Sequence, residues 1–187
     1  MISKLHSAYA RKLHRSRERG ATMMEVIAYL AIAATIIAGV LILLALAFGQ
    51  SKTATALQQL NQIQTAVRTL YSGQSNYQGL STSVIVNSKA LQQSMISGNT
   101  LRSSFNGTIT ITPTSTPDGG ANSAFDVTFS NVPQDACQQM LTKDMGRGLY
   151  EAGASVQQQQ GNLPFTLAQA TASCSATYNT VTWTFGN

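Results

Sequence analysis

Apolar and polar positions divide this chain into three regimes. Residues 1–20 mix basic and polar side chains. From Arg19 to Phe48, RGATMMEVIAYLAIAATIIAGVLILLALAF, the chain becomes apolar on every side of a helix, and after Glu25 no charged residue appears until Lys52. A helix needs about 20 such residues to cross a bilayer, and all-round apolarity is what lipid or close-packed helices require. Beyond Gln50, Ala56, Leu57, Leu60, Ile63, Val67, Leu70 and Tyr71 recur at three and four with polar residues between them. That period predicts an amphipathic helix continuing out of the apolar one. No proline lies within residues 21–72, so a single helix is expected, about 75 Å long if unbroken at 1.5 Å per residue. Gly39 and Gly49 are its expected weak points, because glycine inside a helix costs up to about 1 kcal/mol relative to alanine.

Shorter periods follow. Ser72 to Gly79, SGQSNYQG, has the turn chemistry of a helix exit. Ser83 to Met95 combines a β-like run, Val84 to Val86, with a helical KALQQSM, and its pattern leaves both assignments open. TITIT at Thr108 to Thr112 and FDVTF at Phe125 to Phe129 alternate as half-buried strands, joined by a loop carrying Pro117, Asp118, Gly119 and Gly120. Pro133 to Met145 reads as a helix with Cys137, Met140 and Leu141 inward. Gln157 to Gly161 reads as a solvated loop, and TVTWTF at Thr180 to Phe185 as a last strand with Val181, Trp183 and Phe185 on one face. The expected fold class is α+β, a long N-terminal helix on a small, mostly antiparallel sheet. The expected segments are 1–20, a basic leader; 21–49, an apolar helix; 50–72, its amphipathic continuation; and 73–187, a globular head.

Charge narrows the function. Charged residues make up 10% of the chain, with a net charge of +5. Lys4, Arg11, Lys12, Arg15, Arg17 and Arg19 against Glu18 place all +5 within residues 1–20; six basic and six acidic residues cancel in the remainder. A basic block beside an apolar helix marks its cytoplasmic side, which displaces a nucleic-acid reading. His6 and His14, the only histidines, both precede the apolar run. The head therefore has no histidine for a nucleophile triad or a zinc site. Its acids are scattered, and no phosphate-binding glycine pattern occurs. No catalytic site, cofactor or metal is expected.

Two features carry the chemistry. Cys137 and Cys174 are the only cysteines, and in an exported domain they most economically form one disulfide, worth about 4 kcal/mol in the chain-entropy model. The alternatives are two buried thiols or a redox pair, the latter without C-x-x-C spacing. Glu25 is the second, since a carboxylate at the bilayer centre costs about 2.5–3.5 kcal/mol. It could sit at the headgroup boundary, where the helix dipole favours an acid. Alternatively, cleavage after Gly20 would create an amine on Ala21, four residues before Glu25, able to pair with its own acid or with one on a neighbouring helix. A conventional signal would instead be cut before Phe48, after the A-x-A of Ala45, Leu46 and Ala47, although the apolar run exceeds the usual 7 to 15 residues. An uncleaved signal anchor is the remaining alternative.

On the basic leader ending in Gly20, the Gly20-Ala21 junction, Glu25 at the fifth position after it, and the apolar helix with its amphipathic continuation, the sequence resembles the type IV pilin family, in particular its long-leader type IVb prepilins. Ala21 departs from the bulkier apolar residue more usual there. The resemblance implies a pilin fold with one C-terminal disulfide, Cys137 to Cys174, and a sheet completed by TVTWTF. It implies that a prepilin peptidase cuts after Gly20 and N-methylates Ala21, and that Glu25 neutralises the N-terminus of an adjacent subunit. Subunits would be held in the bacterial inner membrane, then polymerised by an assembly ATPase and inner-membrane platform. The resulting homo-oligomeric surface filament would pass an outer-membrane secretin and work with a minor pilin or tip adhesin. The expected function is a structural, non-enzymatic subunit, the major one of its filament, serving adhesion, aggregation or conjugative mating-pair stabilisation, without direct nucleic-acid binding. The rivals are a minor pilin, a secretion-system pseudopilin, or a monomeric membrane-anchored binding domain.

Overall fold

The structure, a computed structural model, describes residues 22–186. Two compact units divide the chain between Leu43 and Leu44. Helix α1, Met23–Leu70, belongs to both and runs without interruption. Neither Gly39 nor Gly49 breaks it, because a glycine penalty of about 1 kcal/mol is spread against the ladder of hydrogen bonds on either side. In the first unit the helix is apolar and exposed on all sides, and its composition and length suffice to cross a membrane.

The second unit holds the core. Ala56, Leu60, Ile63 and Val67 of α1 are fully buried, as their spacing predicts. They pack on a seven-stranded, wholly antiparallel sheet in the order β1-β2-β3-β4-β7-β5-β6. Its strands are β1 (Ile96–Ser97), β2 (Thr100–Arg102), β3 (Thr108–Thr114), β4 (Ala124–Pro133), β5 (Leu149–Gly153), β6 (Gln157–Gln159) and β7 (Tyr178–Gly186). Ile109 and Ile111, then Phe125, Val127 and Phe129, then Val181, Trp183 and Phe185 point inward by alternation and are at most 1% exposed. Register supplies further specificity: Phe125 opposes Phe185, and the Phe129 ring meets Trp183 edge-on at 5.6 Å.

The open segment resolves as helix α2, Thr82–Asn87, followed by a 3-10 turn at Gln93–Met95. Val84 to Val86 is thus helical despite its β-branched residues. Ser81 caps the helix by accepting from the Val84 N–H, and Ile85 and Val86 bury against the core; together these outweigh a weak strand propensity. The predicted helix after Pro133 is α3, Gln134–Leu141, shorter than expected because Thr142 closes it with its N–H on Gln138 O. Gln157 and Gln159 are exposed and Gln158 is half-buried, yet the three form strand β6 on β5, which corrects the solvated-loop expectation: backbone pairing does not require apolar side chains. Helix α4, Leu167–Ser173, has no clear apolar period and begins on a capping box in which Thr166 and Gln169 satisfy each other's backbone N–H groups.

Candidate functional site

Glu25 lies in the first turn of α1, where the partial positive end of the helix favours an acid. Thr22 receives the Glu25 N–H on its carbonyl at 2.9 Å and on its hydroxyl at 3.3 Å, so the turn is closed by the residue just before it. The Tyr29 hydroxyl, one turn on, donates to Glu25 Oε1 at 3.4 Å. Among the described residues the carboxylate has no cationic partner. Around it, Met24, Ile27 and Leu30 are mostly exposed, with Met24 at 83%. An apolar surface carrying one acid is chemically suited to bury itself against other apolar surface that brings a positive charge to that acid. Gly20 and Ala21 lie outside the described residues.

Cys137 on α3 and Cys174 immediately after α4 are joined in a disulfide, both fully buried, with Cα atoms 6.0 Å apart. The bond encloses β5, β6 and α4. A second tie joins the helix to the sheet: Arg68 near the end of α1 donates from Nη2 to Gly186 O at 3.1 Å, over the last residue of β7. Gly148 passes so near this guanidinium that a Cβ there would collide with it, and its φ of +91° suits glycine in any case.

The solvent face of the sheet is a polar surface that sequence reading passed over. In register, Thr110, Thr128 and Thr182 form one cross-strand row, and Thr112, Asp126, Thr184 and Glu151 the next. The Thr184 hydroxyl donates to Asp126 Oδ1 at 2.6 Å. Aligning FDVTF against TVTWTF in antiparallel register is the signal that could have brought Asp126 opposite Thr184. Burial pushes the Asp126 carboxyl above the usual range, and the Thr184 hydrogen bond holds it back. A carboxyl raised by folding contributes stability that is complete below its unfolded range and is lost as pH rises through its folded value. Asp126→Asn keeps an acceptor for Thr184 and is expected to raise the melting temperature at pH 7, with the gain shrinking toward pH 3; thermal melts at the two pH values check it. Among the described residues no three His, Cys, Asp or Glu side chains gather as a metal site.

Comparison with known proteins agrees with this arrangement. The PilS N-terminal family matches residues 50–186. The major structural subunit of the bundle-forming pilus of Escherichia coli is 24% identical over 160 residues, 83% of this chain and 77% of that protein. The toxin coregulated pilin of Vibrio cholerae is 28% identical over 131 residues, 68% of this chain and 58% of that one. Among solved structures, a type IVb pilin from Salmonella typhi superposes with a TM-score of 0.59 at 21% identity, over 72% of this chain and 99% of that one. TcpA, a type IV pilin from Vibrio cholerae El Tor, gives 0.52 at 15% identity, over 73% and 99%. With the family matched over most of its length, and with a long apolar helix, an antiparallel sheet and a disulfide in the arrangement of those folds, the chain belongs to the PilS N-terminal family and has the type IV pilin fold.

Proposed function

We propose that this protein is the major structural subunit of a bacterial type IVb pilus, processed after Gly20, N-methylated on Ala21 and polymerised through α1. The observation that carries the reading is the exposed apolar stretch of α1 with a single acid, Glu25, in its first turn. Such a surface is stable in lipid or against copies of itself and unstable in water, so the same helix serves as a membrane span before assembly and as filament core after it. The family and fold are structural rather than catalytic, and filament formation from identical copies is the common property of pilins.

In this reading residues 1–20 are a removable leader, 21–49 the membrane and filament-core segment, 50–72 its amphipathic continuation and 73–187 the head. Removing the leader takes away the whole net positive charge. The subunit pool resides in the inner membrane. Prepilin peptidase, an assembly ATPase with its inner-membrane platform, an outer-membrane secretin and a minor pilin or tip adhesin act on or with it. The filament serves adhesion, aggregation or mating-pair stabilisation.

Mass spectrometry of filaments sheared from cells tests the processing. The expected N-terminal residue is N-methylalanine from Ala21, and the chain should dominate the sheared material. A mature chain starting at Met1 or at Phe48 would sink the proposal, and a trace amount among other pilins would assign it to a minor role.

A further inference from the structure

Charge in the second unit is sorted along the chain. Residues 44–117 carry Lys52, Arg68, Lys89 and Arg102 and no acid, a block of +4. Residues 118–186 carry Asp118, Asp126, Asp135, Asp144 and Glu151 against Lys143 and Arg147, five acids less two bases, or −3. Among the described residues no ion pair joins any of them. Arg68 is committed to Gly186, and Lys52 lines a cavity of about 420 Å³ that also contains Asp135. Lys89 is exposed in the turn after α2, and Arg102 is exposed on β2 toward one side of the sheet.

The opposite side holds a complement. Asp126 on β4 and Glu151 on β5 flank Thr184 of β7 in one cross-strand row. With Tyr150, Gln157 and Thr182 they line a groove of about 340 Å³ to which, among the described residues, no basic side chain contributes. A bulge between Leu149 and Glu151 interrupts the pairing of β5 with β7 at this point, and bulges commonly re-aim side chains. Arg102 is separated from Glu151 by four strand spacings, about 19 Å at 4.8 Å each. That exceeds the Debye length of about 8 Å at physiological salt, so the two charges do not serve each other within one copy.

We propose that the Asp126–Glu151 groove receives Arg102 of a second copy in the filament. A guanidinium presents several donors in a plane, matching two carboxylates and the intervening threonine hydroxyls in a way that a lone carboxylate or a metal-free polar loop does not. Because the basic edge and the acidic groove are different patches, the contact is head-to-tail. Repeated, it extends a helical polymer instead of closing a dimer. It also sets the lateral register of the heads, whereas the apolar helix surface is non-directional. The inference rests on the filament reading above.

Charge exchange in the full-length protein, expressed in filament-forming cells, tests it. Arg102→Glu and Glu151→Arg are each expected to lower the yield of sheared filaments by at least about tenfold, the scale for reversing one member of an interfacial charge pair. The double exchange should restore it to within about threefold. Non-reducing electrophoresis and thermal melts establish that each variant keeps its disulfide and fold. Normal yield from either single variant, or a folded double variant as poor as the singles, overturns the pairing. Normal filaments that merely fail to bundle also overturn it, by assigning these charges to contacts between filaments. Failure of the unsubstituted protein to make filaments would count against the pilus reading itself, an outcome the variants leave separate.

Discussion

Glu25→Ala subunits are expected to be cut normally after Gly20 and to accumulate in the membrane without polymerising. The carboxylate in the first turn of α1 meets only the Tyr29 hydroxyl at 3.4 Å among the described residues, so its removal leaves the local helix intact. Thr22 still closes the first turn through its carbonyl. On the proposed processing, what is lost is the partner for the amine that cleavage would create on Ala21 of an adjacent copy. Breaking a buried charge pair by removing one member costs about 3–5 kcal/mol, or between two and four powers of ten per contact at about 1.4 kcal/mol each. Because the contact recurs at every subunit, filament yield should fall below detection while the mature N-terminus remains N-methylated. Electron microscopy of sheared material and mass spectrometry of the membrane fraction give the two readouts. Normal filaments from the variant would remove Glu25 from assembly; an uncut precursor would move its role to processing.

The second large effect is thermodynamic. Replacing both Cys137 and Cys174 by alanine opens a closure of 37 residues and is expected to cost about 4 kcal/mol by the chain-entropy relation. Against a typical domain stability of about 5–15 kcal/mol this is a large fraction. In urea titration of the detergent-solubilised protein, with a slope of about 1–3 kcal/mol per molar, the midpoint should fall by about 1–4 M. The strands inside the closure are the ones most affected. β6 pairs only with β5, and β5 reaches the rest of the sheet only through β7, so the disulfide between α3 and α4 holds a peripheral part of the sheet to its centre. The acidic groove uses Glu151 of β5, and its geometry depends on the same bond. A midpoint shift below about 0.5 M, measured with that slope unchanged, would mean that packing alone holds this region.

How much of this was legible in the residues differs from element to element. TITIT, FDVTF and TVTWTF were legible as strands because an alternating pattern buries one face only in extended backbone. Leu60, Ile63 and Val67 were legible as a core face because their spacing has the period of a helix. Val84 to Val86 was ambiguous, since three residues carry too little periodicity to separate helix from strand; the Ser81 cap and the burial of Ile85 and Val86 decided it. β6 was invisible because glutamines on an exposed edge strand have no alternation to read, and α4 because LAQATAS contains only one large apolar residue and its capping box links two polar residues. The disulfide could be anticipated from a count of two cysteines; that it ties α3 to the end of α4 could not.

By itself, the sequence determined what depends on composition and local period: an apolar helix with one acid in its first turn, an amphipathic continuation, alternating strands and a charge balance that cancels beyond residue 20. Tertiary structure decided what depends on register and strand order. Asp126, Thr184 and Glu151 come from strands separated in the chain, and only pairing in the order β4-β7-β5 sets them in one row. Side-chain period is a local property of the backbone, whereas the partner across a sheet is selected by the packing of the whole core.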